Sequence, residues 1–257
     1  MTKLFQLWLV GCIALLGFLS GCSTSTDPAD TYKGETAEKI FQNGEQALRE
    51  GNYQESIKRF EALDVQYPYD KHSETAELHI IYAYYMTSDY ASAESAADRF
   101  IHEFPASGYV DYAYYLRGLS NYYQNLGVYE RLFNIDLSTR DLAQIKKSWQ
   151  DFAVIVHQFP HSRYAAPAHQ YMIYLRNIIA RHELEVARFY FSRGAYVGAV
   201  NRANDVVQYY QGTPSVPYAL VLMVKSYRAM HLNQNAQETL RILKYNYPEL
   251  VHDNTVS

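Results

Sequence analysis

Five times in this chain an aromatic residue, followed at once or within four residues by proline, closes a stretch of helical patterning. The corners are Tyr67-Pro68, Phe104-Pro105, Phe159-Pro160, Tyr210 with Pro214, and Tyr247-Pro248. Tyr67 to Phe104 is 37 residues, and Tyr210 to Tyr247 is 37 again. A period of that length is typical of helical repeat arrays, where each unit buries its apolar face only by stacking on its neighbours. Such a chain is expected to work as a binding scaffold.

Within each unit the pattern is regular. Eleven residues before the corner stands a small residue (Ser56, Ala93, Ser148, Ala199, Ala236). Seven before it is apolar (Phe60, Ala97, Phe152, Ala203, Leu240), as is four before it (Leu63, Phe100, Ile155, Val206, Leu243). These offsets share one face of an α-helix, with the small residue where a neighbouring helix must come close. Nine residues after the aromatic, alanine recurs at Ala76, Ala113, Ala168 and Ala219. Proline cannot continue a helix and favours the first turn of the next, so each corner is expected to end one helix and start its partner. The predicted fold is all-α, a right-handed helical-hairpin solenoid of five tetratricopeptide-like repeats.

Repeat one is predicted to pair Thr36 to Glu50 with Tyr53 to Tyr67, and repeat two Ser73 to Thr87 with Tyr90 to Phe104. Repeat four turns at Arg193-Gly194-Ala195-Tyr196, and repeat five runs from about Pro217 to Tyr247. The period breaks twice, with 55 residues from Phe104 to Phe159 and 51 from Phe159 to Tyr210. The first surplus, around Gln124 to Asp141, is read as an ordered loop inside repeat three. The second is read as a lengthened first helix in repeat four, because Ala165 to Ser192 has no glycine and no proline after Pro167.

The N-terminus sets the compartment. Lys3 precedes an apolar stretch from Leu4 to Leu19, too short for a membrane-spanning helix but suited to a secretory signal. It ends in Leu19-Ser20-Gly21-Cys22, which resembles the bacterial lipobox, where the cysteine is acylated and becomes the first mature residue. Residues 1–21 are then the signal peptide, Cys22 the lipid attachment site, and 22–36 the lipidated cysteine with a flexible tether. A competing site, Leu9-Val10-Gly11-Cys12, leaves a shorter apolar core, and an ordinary signal peptide with a leftover thiol is the plainer alternative. Cleavage before Cys22 would discard Cys12 and lipidate the only other cysteine, leaving no free thiol in an oxidising compartment. Ser23, rather than aspartate, after the lipobox implies sorting to the outer membrane. Ser23 to Thr36 is polar, and its 14 residues would reach at most roughly 48 Å at about 3.4 Å each.

Charge and motifs narrow the function further. The net charge of −4 gives no broad positive field for nucleic acid. His157 and His161 are separated by Pro160, so they cannot serve as paired metal ligands on one helix. His182-Glu183 is followed by Val186 where a second histidine would stand, and no glycine-rich phosphate loop or nucleophile elbow is present. No metal, catalytic residue or cofactor is expected beyond the covalent lipid on Cys22.

The lipobox, the repeats, and the strings Ile81-Tyr82-Ala83-Tyr84-Tyr85, Asp98-Arg99-Phe100-Ile101, Tyr115-Leu116-Arg117-Gly118-Leu119 and Arg193-Gly194-Ala195-Tyr196-Val197 resemble the BamD family. These are lipoproteins of the machinery that inserts β-barrel proteins into the bacterial outer membrane. The resemblance covers nearly all of the mature chain, including the position of the first insertion. It implies a non-enzymatic adaptor, lipid-anchored in the outer membrane and facing the periplasm, with partners in the periplasmic domain of BamA, the other lipoproteins of the assembly complex, and unfolded outer-membrane barrel substrates. It further implies a repeat domain over 37–257, with substrate-side repeats at about 37–122 and BamA-binding repeats at about 142–250. The family's arginines fall on Arg193 and Arg202. The alternative reading is a repeat lipoprotein that scaffolds peptidoglycan-processing enzymes; a lipid-anchored hydrolase is a second.

Two groups of residues are then candidates. Arg202 lies off the apolar face of Ala199, Ala203 and Val206, so its guanidinium is expected to be exposed and free for a partner carboxylate. Most of the 26 tyrosines are expected to pack with the hydroxyl turned to water or backbone. Tyr82, Tyr84 and Tyr85 cannot all hide on one helix face, and with Tyr67 and Tyr69 they form the expected pocket for an extended substrate segment ending in an aromatic residue.

Overall fold

The structure is a computed structural model, and it describes residues 27–126 and 141–251. Among the described residues ten α-helices form five antiparallel hairpins. In chain order they are α1 Ala37–Arg49, α2 Tyr53–Gln66, α3 Ser73–Met86, α4 Tyr90–Glu103, α5 Val110–Asn125, α6 Ala143–Gln158, α7 Ala165–Ser192, α8 Tyr196–Tyr209, α9 Val216–Ala229 and α10 Asn233–Asn246. A 3₁₀ turn at Pro248–Val251 follows. Each helix packs on the next, and first helices also stack on first helices, α1 on α3, α3 on α5 and α7 on α9. Among the described residues there is no strand, and no helix is long and apolar enough to cross a membrane.

The five corner aromatics are the C-caps of α2, α4, α6, α8 and α10. All five small residues at minus eleven are buried, as are all residues at minus four and the four alanines at plus nine. At minus seven only Leu240, in the last described α-helix, is half-buried. The prolines serve differently from expectation. The carbonyl of Tyr67 accepts from the Asp70 amide at 3.0 Å, and Phe104, Phe159 and Tyr247 repeat this with Ser107, Ser162 and Leu250. Proline thus occupies the second position of a β-turn, where its fixed φ is favoured, and the next α-helix begins five residues after Pro68, Pro105 and Pro160.

Inside the hairpins a left-handed residue stands two positions before the second helix: Gly51 (φ 76°), Ser88 (62°), Gly194 (74°) and His231 (59°). Side-chain caps complete three starts, with Thr36, Asn52 and Asp89 accepting from the amides of Lys39, Glu55 and Ser92 at 3.2 to 3.3 Å.

The second surplus is a single 28-residue helix, α7, about 42 Å long at 1.5 Å per residue. Its length has a packing reason. One core runs from Ile40 to Ile179 and takes in Ala168 and Leu175 of α7; a second begins with Leu184 and Ala187 of the same helix and continues through α8, α9 and α10. The two bodies therefore meet within α7, and α6 belongs to the first. The loop read into the first surplus falls mostly on 127–140, which lies outside the described residues.

The flexible tether expected over 23–36 is corrected for residues 27–36. This segment forms consecutive turns and docks on α2. Gln66 Nε2 donates to the carbonyls of Pro28 (2.9 Å) and Thr31 (2.6 Å), and the Tyr67 hydroxyl donates to the Glu35 carbonyl at 2.8 Å. The Tyr32 hydroxyl donates to Glu55 at 2.8 Å, and its ring lies under the Arg59 guanidinium, 4.0 Å from the centroid. Four polar tethering contacts offset the chain entropy that composition alone says should keep such a segment free.

Candidate functional site

The first helices of the central hairpins carry a continuous band of tyrosines. Tyr85 of α3 meets Tyr123 of α5 at 6.0 Å between ring centroids and Tyr90 of α4 at 5.7 Å. Tyr122 of α5 in turn meets Tyr171 and Tyr174 of α7 edge-on at 5.7 and 6.0 Å. Tyr171 stacks on the core ring of Phe152 at 4.9 Å. Edge-to-face and offset pairs at these separations add attraction beyond area burial. Burial pushes the Tyr171 hydroxyl up to about 12 and those of Tyr85 and Tyr122 higher still, so all three remain protonated hydrogen-bond donors.

Beside this band the N-termini of α3 and α5 and the corners that precede α5 and α7 enclose a groove of about 550 Å³. Leu78, His79, Tyr109, Tyr112, Arg163 and Tyr164 line it. Tyr164 stacks on Tyr112 at 5.3 Å and on Tyr115 at 4.9 Å, which joins the groove to the core. An exposed Tyr109 and the Arg163 cation at the rim give it apolar and polar contact points for a chain segment.

The five tyrosines expected to form one pocket are distributed. Tyr82 and Tyr85 lie one turn apart on α3, and Tyr82 meets Tyr53 edge-on at 6.2 Å. Tyr84 points elsewhere and donates to Glu61, in a separate hollow with Arg99. Tyr67 holds the docked segment 27–36 through its hydroxyl, and Tyr69 projects from the first corner with 99% of its surface exposed. The five therefore do not converge on one pocket. Tyr122, Tyr123, Tyr171 and Tyr174 were not picked out by sequence, although Tyr122 stands 37 residues after Tyr85 and repeats its position.

The second candidate site is the tip where α7 turns into α8. Arg193 caps α7, exposed, with its guanidinium 5.3 Å from the centre of the Phe189 ring. Phe189 and Val197 beside it are 56% and 64% exposed. Gly198 lets the two helices close, since a β-carbon there would lie 3.2 Å from Tyr190 Cδ1. Arg202 is exposed as expected but not free: it donates to Glu183 Oε2 of α7 at 3.1 Å. Cys22 lies outside the described residues.

Residues 33–242 match the model of the family described as YfiO, outer membrane lipoprotein. The chain is 35% identical over 235 residues to the outer membrane protein assembly factor BamD of Pasteurella multocida strain Pm70, covering 91% of this chain and 89% of that protein. It is 33% identical to the BamD of Neisseria meningitidis serogroup B, covering 90% and 88%, and 31% identical to that of Vibrio cholerae serotype O1, covering 93% and 97%. Among solved structures, that of MamA is 14% identical with a TM-score of 0.34, covering 86% of this chain and 97% of that one. A putative kinesin light chain with nearly identical TPR-like repeats scores 0.36 at 14% identity, covering 84% and 96%. The chain belongs to the YfiO family of outer membrane lipoproteins.

Proposed function

We propose that this protein is a non-enzymatic adaptor in the assembly of outer membrane proteins, held at the membrane by a lipid on Cys22 and facing the periplasm. Its relatives carry the name assembly factor, and its repeats expose two separate surfaces. The observation that carries the reading is the partition into two cores joined by α7. It separates the tyrosine band and groove from the arginine tip along one continuous helix, as an adaptor that holds two proteins at once requires.

In this reading the first body receives an extended segment of an unfolded barrel protein along the groove of Tyr109 and Tyr112, aromatic side chains supplying the anchors. The tip at Arg193, with Phe189 and Val197, takes the periplasmic domain of BamA: a cation ringed by apolar surface suits a carboxylate set among apolar residues. Arg202 is a lesser contact because Glu183 already engages it. Other lipoproteins of the complex are expected on the second body.

The docked segment sets the geometry at the membrane. Five chain steps separate Cys22 from Asp27, at most about 17 Å when extended, so the first hairpin sits close to the bilayer. The test is capture of BamA from detergent-solubilised membranes by the full chain and by Arg193→Glu. Loss of capture with an unchanged helical circular-dichroism spectrum supports the reading; undiminished capture removes Arg193 from it, and recovery of peptidoglycan hydrolases in place of BamA favours the scaffold alternative.

A further inference from the structure

Between the two bodies, α6, α7 and α8 enclose a hollow of about 260 Å³, lined by none of the residues of the groove or the arginine tip. Its floor is the buried side chain of Ile179, its walls are Trp149, Tyr209 and Tyr210, and its rim carries Lys146 and Arg176. We propose that this hollow binds a protein segment in which an aromatic or large aliphatic side chain is flanked by carboxylates.

Charge complementarity carries the choice of occupant. Two cations and no carboxylate line the hollow. Lys146 makes no ion pair among the described residues, and Arg176 spends one N–H on the Tyr209 carbonyl at 3.3 Å, leaving the rest of its guanidinium open. Elsewhere arginines that reach a neighbouring helix are matched: Arg117 to Asp151, Arg202 to Glu183. The carboxylates that act on Tyr210 are Glu183 and Asp205, outside the lining, and Glu183 is the partner of Arg202. An arginine and a lysine beside an aromatic wall suit a carboxylate next to an apolar anchor.

Size argues the same way. Small-molecule pockets run from about 300 to 1,000 Å³, so a hollow below that range fits one side chain rather than a whole ligand. An anchor side chain seated in a pocket with charged contacts at the rim is how protein interfaces concentrate their affinity. Both bodies contribute, since Trp149 stands on α6 and Tyr209 on α8. A segment held here would brace the joint at α7.

The chain supplies its own reporter. It holds two tryptophans, Trp8 and Trp149, so a chain starting at Ser23 keeps every described residue and leaves Trp149 as the only indole. The experiment titrates that chain with a capped peptide of sequence Glu-Phe-Asp-Phe-Glu and follows Trp149 emission. The expected result is a saturable shift in emission, weakened at least about tenfold when lysines replace the acids, when alanines replace the phenylalanines, or in Arg176→Glu. Equal binding of the lysine peptide, or no saturable response to any peptide, overturns the proposal. A response to phosphatidylglycerol vesicles with silence from the peptides also overturns it and assigns the hollow to an anionic lipid. Should Arg176→Glu fail to fold by circular dichroism, the peptide series on the unaltered chain decides alone.

Discussion

Gly118 of α5 lies directly beneath Phe152 of α6: a β-carbon on Gly118 would stand 2.9 Å from Phe152 Cε1. Ser148, one turn earlier, donates to the Gly118 carbonyl at 2.7 Å, so two residues of the repeat pattern converge on one glycine. Gly44 meets Phe60 in the same way, at 2.7 Å. Gly44, Ile81 and Gly118 recur at intervals of 37, and the residues at minus seven in their hairpins are Phe60, Ala97 and Phe152. Large and small exchange sides from one repeat to the next, which keeps the volume of each layer nearly constant.

Gly118→Ala is expected to destabilise the protein by about 1–3 kcal/mol, because a fully buried phenylalanine ring must shift to admit one methyl. Ala93→Phe at a buried minus-eleven position is expected to cost a similar amount, about 1–3 kcal/mol. Chemical denaturation followed by circular dichroism measures both; a midpoint unchanged by either would mean that the helix register is wrong.

Ser88 and His231 occupy the left-handed turn position that Gly51 and Gly194 fill in the other hairpins. A side chain in that conformation costs roughly 1 kcal/mol relative to glycine. Ser88→Gly and His231→Gly are therefore each expected to raise stability by a little under about 1 kcal/mol, part of the gain being lost to the greater freedom of glycine in the unfolded chain. Differential scanning calorimetry should show a higher melting temperature for each, and a fall in both would mean that local contacts, such as the 3.2 Å bond from the Tyr90 hydroxyl to Ser88 Oγ, outweigh the strain.

The hairpins were legible because their signal is periodic. Ser56 or Phe60 alone says little, but the same residue classes at the same offsets from five corners define a helix face. The uninterrupted run from Ala165 to Ser192 likewise announced α7. What could not be read was pairing across repeats. The acceptor for Arg202, the two cores meeting inside α7, and the docking of Tyr32 under Arg59 each join elements whose relative rotation no local pattern encodes. The tyrosine pocket failed for the same reason: crowding at 82, 84 and 85 shows that the rings diverge, not which neighbours they reach.

Glu77 of α3 is a buried carboxyl, 2% exposed, whose Oε2 has no hydrogen-bond partner and lies 3.6 Å from Arg99 Nε. Burial pushes its pKa up to about 8; Arg99 pulls it down, and the neighbouring Glu103 raises it again. The folded protein therefore holds this proton where the unfolded chain, near 4.5, releases it. The stability it contributes is complete below about 4.5 and is lost as pH rises toward 8, with a slope of at most about 1.4 kcal/mol per pH unit. Glu77→Gln keeps the shape without the titration. Unfolding free energies measured from pH 5 to 8 are expected to fall less steeply for the variant, and identical slopes would show that Glu77 ionises freely in the folded state.

The docked segment gives the last test. Tyr32, Gln66 and Tyr67 hold residues 28–35 against α2, and none of them belongs to either core as a fully buried side chain. Removing Gln66 deletes both bonds to the backbone of Pro28 and Thr31, each worth about 1 kcal/mol net. Gln66→Ala together with Tyr32→Ala is therefore expected to free this segment while leaving the global unfolding midpoint nearly unchanged. Hydrogen exchange reads the two separately, through faster exchange at amides 30–35 and unaltered protection of Phe60 and Leu63 in α2. If the segment stays protected in the double variant, its placement rests on something other than these bonds.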